Sequence, residues 1–318
     1  MKLLCKLSFF IGLTFVVSCN TKTETKSVSQ ETTSENFTSV TPKKFLFDAS
    51  KGETAGNADW ILDWDKSPQR FPTPYQSTVT ASTPENYWNG ALSAWGIALV
   101  KLGHRVESLP NKSGITYGEN NPQDLKNYDV FIVDEPNIKF TDSEKTAILN
   151  FVKNGGGLFM ISDHTGSDRN HDGFDSVQIW NDLMEDNLVQ KNPFGFKIDK
   201  NTFSETSSNV LQSETNPILN GFQGKVTQLK YSAGASLTIT SHVKKVQGLI
   251  WRKKSGQSYT DIMCASSTFG KGRIVVIGDS SPADDGTGNP KDKLYYGWSE
   301  LPSHAALHLN ASIWLAKL

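Results

Sequence analysis

The stretch GGGLFMISDHTGSDRNHDGFDS, residues 155–176, decides how the chain is read. Its glycines close a helix, and the apolar run Leu158-Phe159-Met160-Ile161 predicts a buried strand, being bounded by turn signals and too short for a helix. The strand runs into Asp163-His164 and then into a polar loop, where Asp168, Asn170 and Asp172 alternate ahead of Gly173. That is the spacing of the first half of an EF-hand calcium loop, in which alternate residues turn oxygens inward and a glycine permits the reversal. Position 12 of such a loop needs a bidentate Glu, and here it is Ile179. Asp175 and the Phe174 carbonyl are the local groups expected to complete the coordination. A turn held only by Asx hydrogen bonds is the competing reading.

Working outward, strands and helices alternate on both sides of this stretch. Phe45-Leu46-Phe47 predicts a strand ending at Asp48, His104–Leu109 a second, and Asp129–Val133 a third that ends in Asp134-Glu135-Pro136. A helix is expected from Thr83-Pro84-Glu85 through Leu92, Trp95, Leu99 and Leu102 to Gly103. Thr141-Asp142-Ser143-Glu144 is a capping box opening the next helix. Downstream, Val177–Leu188 predicts a helix, and residues 190–245 an irregular excursion from the main sheet. Strands return at 248–251, 261–265 and 272–278, and Ser303–Ala316 predicts a last helix. This order argues an α/β fold, a doubly wound, mostly parallel sheet covered on both faces as a three-layer sandwich. Right-handed crossovers then bring Asp48, Asp134 and Asp163 to one edge.

The beginning of the chain is of another kind. Met1-Lys2, the apolar run Leu7–Val17 and Val16-Val17-Ser18-Cys19 resemble a bacterial lipoprotein signal. The resemblance implies cleavage before Cys19, acylation of that residue, and a protein lipid-anchored to the cell envelope, at the periplasmic face or the cell surface. Residues 1–19 would be the signal, 20–42, rich in Ser, Thr, Glu and Lys, a flexible tether, and 43–318 a single domain. Without residues 1–19, Lys2 and Lys6 go, leaving 30 basic against 33 acidic residues. No basic excess is left to neutralise phosphates, so nucleic acid is not an expected partner. Cys264 is then the one cysteine in the domain, read as a small core residue of a strand.

Gly155-Gly156-Gly157 before a strand ending in Asp163-His164, the segment Asn216-Pro217-Ile218-Leu219-Asn220-Gly221, and Gly270-Lys271-Gly272-Arg273-Ile274-Val275-Val276-Ile277-Gly278-Asp279 together resemble the class I glutamine amidotransferase-like superfamily, in its ThuA-like, non-amidotransferase branch. The resemblance implies a flavodoxin-like layered sheet with an active centre at the strand ends, beside an elbow after a central strand. Where the amidotransferases carry an elbow cysteine and a late histidine, this chain has Ile161-Ser162-Asp163-His164 and Gly278-Asp279-Ser280. Glutamine hydrolysis is therefore not carried over.

The expected site gathers these pieces. Asp168, Asn170, Asp172 and Asp175 would hold a divalent metal, calcium by their oxygen chemistry, or a transition metal if His164 is a ligand. Asp163 or His164 would act as base toward water, and Asp279 would complete the polar wall. Asp48, Ser280, Asp284, Asp285 and His304 are further cleft candidates. Gly278-Asp279-Ser280 invites comparison with GDSL esterases, which carry that string near the chain start instead. Trp60, Trp64, Trp88, Trp180, Tyr295, Tyr296 and Trp298 offer stacking surfaces for a sugar or another flat small molecule, or core. The expectation is a metal-dependent hydrolase of a glycan or ester. The alternative is a non-catalytic ligand- or carbohydrate-binding lipoprotein with a structural calcium loop.

Overall fold

In a computed structural model of the chain, the described residues are 41–65, 67–110, 113–241, 245–289, 291–292 and 295–318. The expected signal, Cys19 and all but the end of the tether lie outside them. Residues 40–318 form one compact unit by themselves. No described helix is long and apolar enough to cross a membrane.

In chain order the unit begins with β1 (Lys44–Asp48), α1 (Ser93–Lys101), β2 (Arg105–Leu109), β3 (Val130–Asp134), α2 (Asp142–Asn154), β4 (Gly157–Ile161) and α3 (Ser176–Glu185). There follow β5 (Phe196–Ile198), β6 (Phe203–Ser207), β7 (Asn209–Val210), β8 (Asn220–Gly221), β9 (Gly224–Lys225), β10 (Leu229–Gly234), β11 (Leu237–Ile239), β12 (Gln247–Trp251), β13 (Ile262–Phe269) and β14 (Gly272–Ile277). Last come the short α4 (Gly297–Glu300) and α5 (Pro302–Leu315).

Strands β2, β1, β3, β4 and β14 lie side by side in that order, all parallel. This is the flavodoxin-like order 2-1-3-4-5, whose winding reverses between β1 and β3. Beyond β14 the sheet turns antiparallel through β13, which carries β11 and β12, and β5 pairs with β11. Residues 190–245 are thus not simply an excursion. Their β5, β7 and β11 extend the main sheet, while β6 pairs with β10 and β8 with β9 in two small ribbons. Three-residue strands give too short an apolar period to be read from sequence.

Burial on both faces explains the apolar runs of the parallel strands. Phe45, Phe47, Ile132, Phe159 and Val275 pack under α1 and α5, with Trp95 and Leu307 fully buried. Leu46, Phe131, Leu158, Met160 and Ile274 pack under α2 and α3, around Ile148 and Trp180. Both cores are drawn wholly from residues 45–316. Cys264 is buried in β13. Gly157 lets α5 approach β4, since a Cβ there would stand 2.7 Å from the Leu315 carbonyl oxygen.

Helix ends depart from expectation in one informative case. The capping box of α2 forms as read, with Thr141 and Glu144 satisfying each other's backbone. By contrast α1 begins at Ser93, ten residues after the expected start. Residues 83–92 are instead held as turns, because the Ser93 hydroxyl accepts from Trp88 N and donates to the Glu85 carbonyl.

Candidate functional site

Four of the five parallel strands deliver an acidic residue to one edge, at or just past the strand's end. Asp48 ends β1, Asp134 ends β3 with Glu135 next, Asp163 follows β4, and Asp279 follows β14. All five carboxyls are buried, with Glu135 wholly inaccessible. Asp48 and Asp134 flank the β1–β3 reversal, the place where open α/β sheets form a crevice.

One cation organises the centre of the cluster. Arg169 Nε donates to Glu135 Oε1 at 2.5 Å and Nη2 to Glu135 Oε2 at 3.0 Å, a two-pronged pair. The same Nη2 donates to Asp163 Oδ2 at 3.0 Å, and Nη1 to Asn57 Oδ1 at 2.7 Å. The Ser280 hydroxyl donates to Glu135 Oε2 at 2.9 Å. Glu135 reaches this position on a backbone with φ of 47°, a left-handed conformation uncommon outside glycine. The strained turn therefore follows β3, one strand away from the elbow expected after β4. Burial, followed by the charges of Glu135 and Asp279, pushes the Asp163 carboxyl well up.

Around this centre the acids differ in how they are satisfied. Asp48 Oδ1 accepts from Ser50 N and Oγ, and burial raises its carboxyl to about 6. Glu53 is pushed well up by burial and then by Asp48. Neither carboxyl oxygen of Asp134 has a partner, and burial holds its pKa well above the usual carboxylate range. Asp279 is fully occupied: Oδ1 accepts from Ser281 N and Oγ, Oδ2 from Ser232 N and Ala233 N. It ties β10 to the end of β14.

The expected metal loop has its own internal bonding. Asp168 accepts from Asp172 N at 3.1 Å and Gly173 N at 2.8 Å, and Asp172 Oδ1 from Phe174 N. Asn170 turns its amide nitrogen to the Asn137 carbonyl and Asp172 Oδ2. Asp175 is committed elsewhere, as the N-cap of α3, with one oxygen on Gln178 N and the other on Gly166 N. Among the described residues no three His, Cys, Asp or Glu side chains form a group able to hold a metal ion. His164 is half-buried, its Nδ1 2.8 Å from the Thr165 carbonyl oxygen. Both His304 nitrogens are used: Nε2 accepts from Lys230 N and Nδ1 faces the Gly297 carbonyl.

Beside the carboxyl cluster lies an open cleft of about 360 Å³, lined by Asp59, Trp64, Asp65, Asn289 and Asp292 together with Thr54 and Gly56. Asn57, from the same loop, is the residue Arg169 holds, so one segment forms a wall of both. Asp59 is 3% exposed and accepts from Asn289 N at 3.1 Å. Burial, opposed by that hydrogen bond and reinforced by Asp292, Asp284 and Asp285, raises its pKa to about 8. Gly288 makes the approach possible: its φ is 140°, and a Cβ there would fall 2.1 Å from Asp59 Oδ2. Trp64 Nε1 has no hydrogen-bond partner. Asp284 and Asp285 sit behind this wall, bonded to Gly286 N and Tyr295 N, and to Ala94 N and Thr287.

Of the aromatic candidates, Trp60, Trp88, Trp180 and Trp298 are core, leaving Trp64 at the cleft. Sequence reasoning did not single out Glu135, Arg169, Glu53 or Asp59. A paired Asp134-Glu135 after a buried run was the available signal for Glu135, whereas Arg169 read as a spacer between loop ligands.

No family model matches the chain, and no curated protein matches it. Solved structures do. The mmIFT52 N-terminal domain superposes with a TM-score of 0.51 at 14% identity, over 86% of this chain and 97% of that one. The likeness is one of fold alone. A cytoplasmic protein, STM3548 from Salmonella typhimurium, gives 0.49 at 14% identity over 86% of this chain and 98% of that one. A ThuA-like protein from Parabacteroides merdae gives 0.44 at 12% identity over 87% and 90%.

Proposed function

We propose that the protein is a hydrolase of the glycan or ester class, with Asp59 as its general acid. One observation carries the reading: a carboxyl raised to about 8 lines an open cleft that also holds two other carboxyls and an indole. A carboxyl that burial keeps protonated at neutral pH is placed to act as general acid, with a second carboxyl beside it as base. Asp59, protonated at neutral pH, donates to the leaving oxygen, and Asp292 or Asp65 takes a proton from the attacking water. Trp64 offers a flat face to a sugar ring. The Arg169–Glu135–Asp163 network positions this wall through Asn57 instead of touching substrate.

In the metal-dependent form of this reading, Asp168, Asn170 and Asp172 supply the oxygens for a divalent cation, and a calcium ion there would order the loop that carries Arg169. Envelope anchoring through acylated Cys19 is part of the proposal, supported by the signal-like sequence before it. Placement in the ThuA-like branch rests on the three motifs quoted above and on the strand order.

The test is turnover of nitrophenyl glycosides and esters, with and without a chelator. Asp59→Asn should lower kcat by roughly 100-fold or more without lowering the melting temperature. In the wild type, activity should fall as pH rises through about 8, where Asp59 loses its proton. The second reading, a carbohydrate-binding lipoprotein with a calcium-stiffened loop, is favoured by the alternating oxygens of residues 168–172. Sugar binding and calcium-dependent melting with no turnover would select it and sink the hydrolase.

A further inference from the structure

We propose that the N-terminal end of the sheet is a docking face for a membrane surface containing anionic phospholipid. Because the five central strands are parallel, their first residues gather at the end opposite the candidate site. Lys43 stands before β1, Lys271 and Arg273 at the start of β14, and Lys317 after α5. Lys317 Nζ donates to the Lys271 carbonyl at 2.9 Å. Its pKa is lowered by burial and then by Arg273, Lys43 and Lys271, so the other three cations act on it. Asp129 offsets one of them, lying 3.0 Å from Lys43 Nζ.

An apolar groove adjoins this basic cluster, and Trp314 links the two. Arg273 donates to the Trp314 carbonyl and lies over its ring, 5.0 Å from the centroid. Trp314 also lines a groove of about 530 Å³ with Leu102, Pro217, Phe222, Ile313 and Leu318. Phe222, at the tip of the β8–β9 hairpin, is 99% exposed, and Leu318 is 47% exposed. A single exposed apolar side chain needs no explanation, but a protruding Phe beside a groove and clustered cations is the composition of an interfacial surface.

Charge complementarity selects an anionic lipid surface, in which headgroups meet Lys271, Arg273 and Lys317 while Phe222 enters the acyl boundary. Lys43 lies at this same end, its backbone N 3.4 Å from Nδ1 of His104, a residue of the groove. That orientation rests on the anchor reading above. Tethered there, the domain would turn its carboxyl cleft away from the bilayer.

The experiment sediments residues 41–318, which hold both cores, with vesicles of phosphatidylcholine alone or mixed with phosphatidylglycerol. Wild type should bind the mixed vesicles, and salt should weaken the binding. Phe222→Ser and the double variant Lys271→Glu/Lys317→Glu should each lose roughly tenfold or more in partitioning, with unchanged circular dichroism. Equal binding to both vesicles, no binding, or variants that bind like wild type would overturn the proposal. So would a Phe222-dependent dimer in light scattering, which would assign the face to a second copy. Because this fragment lacks Cys19, the anchor is read separately, by whether full-length protein incorporates labelled fatty acid and Cys19→Ser does not; no incorporation would sink the anchor alone.

Discussion

At the scale of single residues, Arg169 determines whether the carboxyl cluster is tolerable. It is the cation bonded to both Glu135 and Asp163, and neither carboxyl is more than 4% exposed in its side chain. Removing one partner of a buried pair leaves uncompensated charge, so Arg169→Met should cost about 3–5 kcal/mol in urea unfolding. Arg169→Lys keeps the charge and loses the fork, and should recover part of that cost. A midpoint for Met equal to wild type would show that the acids are neutralised by protons alone. Nothing local in the sequence marks Arg169 for this role, because its partners come from β3 and β4.

At the scale of elements, helix ends separate into those set locally and those set from afar. The capping boxes of α2 and α3 join residues three apart, and the first was legible as Thr-x-x-Glu. The start of α1 is fixed by Asp285, whose Oδ2 accepts from Ala94 N at 2.6 Å across 191 residues. The carboxylate meets the positive end of the helix there. Asp285→Ala should destabilise the fold by about 1–2 kcal/mol and speed amide exchange in the first turn of α1, with Asp285→Asn intermediate. Unchanged exchange at Ala94 would remove Asp285 from that role. The boundary expected at Thr83 missed for two reasons: Ser93 holds residues 83–92 as turns, and a cap arriving from the far end of the chain leaves no trace beside the helix.

Across the whole molecule, the acids make stability fall where most proteins gain it. Asp48 and Asp285 are raised to about 6, Asp284 to about 7 and Asp59 to about 8, each chiefly by burial. In that range the native state binds more protons than the unfolded chain, whose carboxyls titrate near 4. Stability is therefore fully present below about 4 as far as these groups are concerned, and is lost as pH rises through 6 to 8. Melting temperature should decline between pH 5 and 8. Asp134→Asn, which replaces a partnerless buried acid by a neutral isostere, should raise it at pH 8 relative to wild type and do less at pH 5. Melting curves that climb over this range would contradict the protonated cluster.

The layered sheet, both of its apolar faces and the acidic strand ends were determined by sequence alone, because period, turn chemistry and capping are short-range properties carried by neighbouring residues. Asp48, Asp134 and Asp163 reach one edge as the alternation of elements requires. Only the tertiary structure decided which of those acids burial keeps protonated, which serve as caps, and which face an open cleft. Those distinctions depend on burial and on partners from distant segments, such as Arg169 for Glu135 and Asn289 for Asp59, and a carboxyl reads the same in sequence whatever surrounds it.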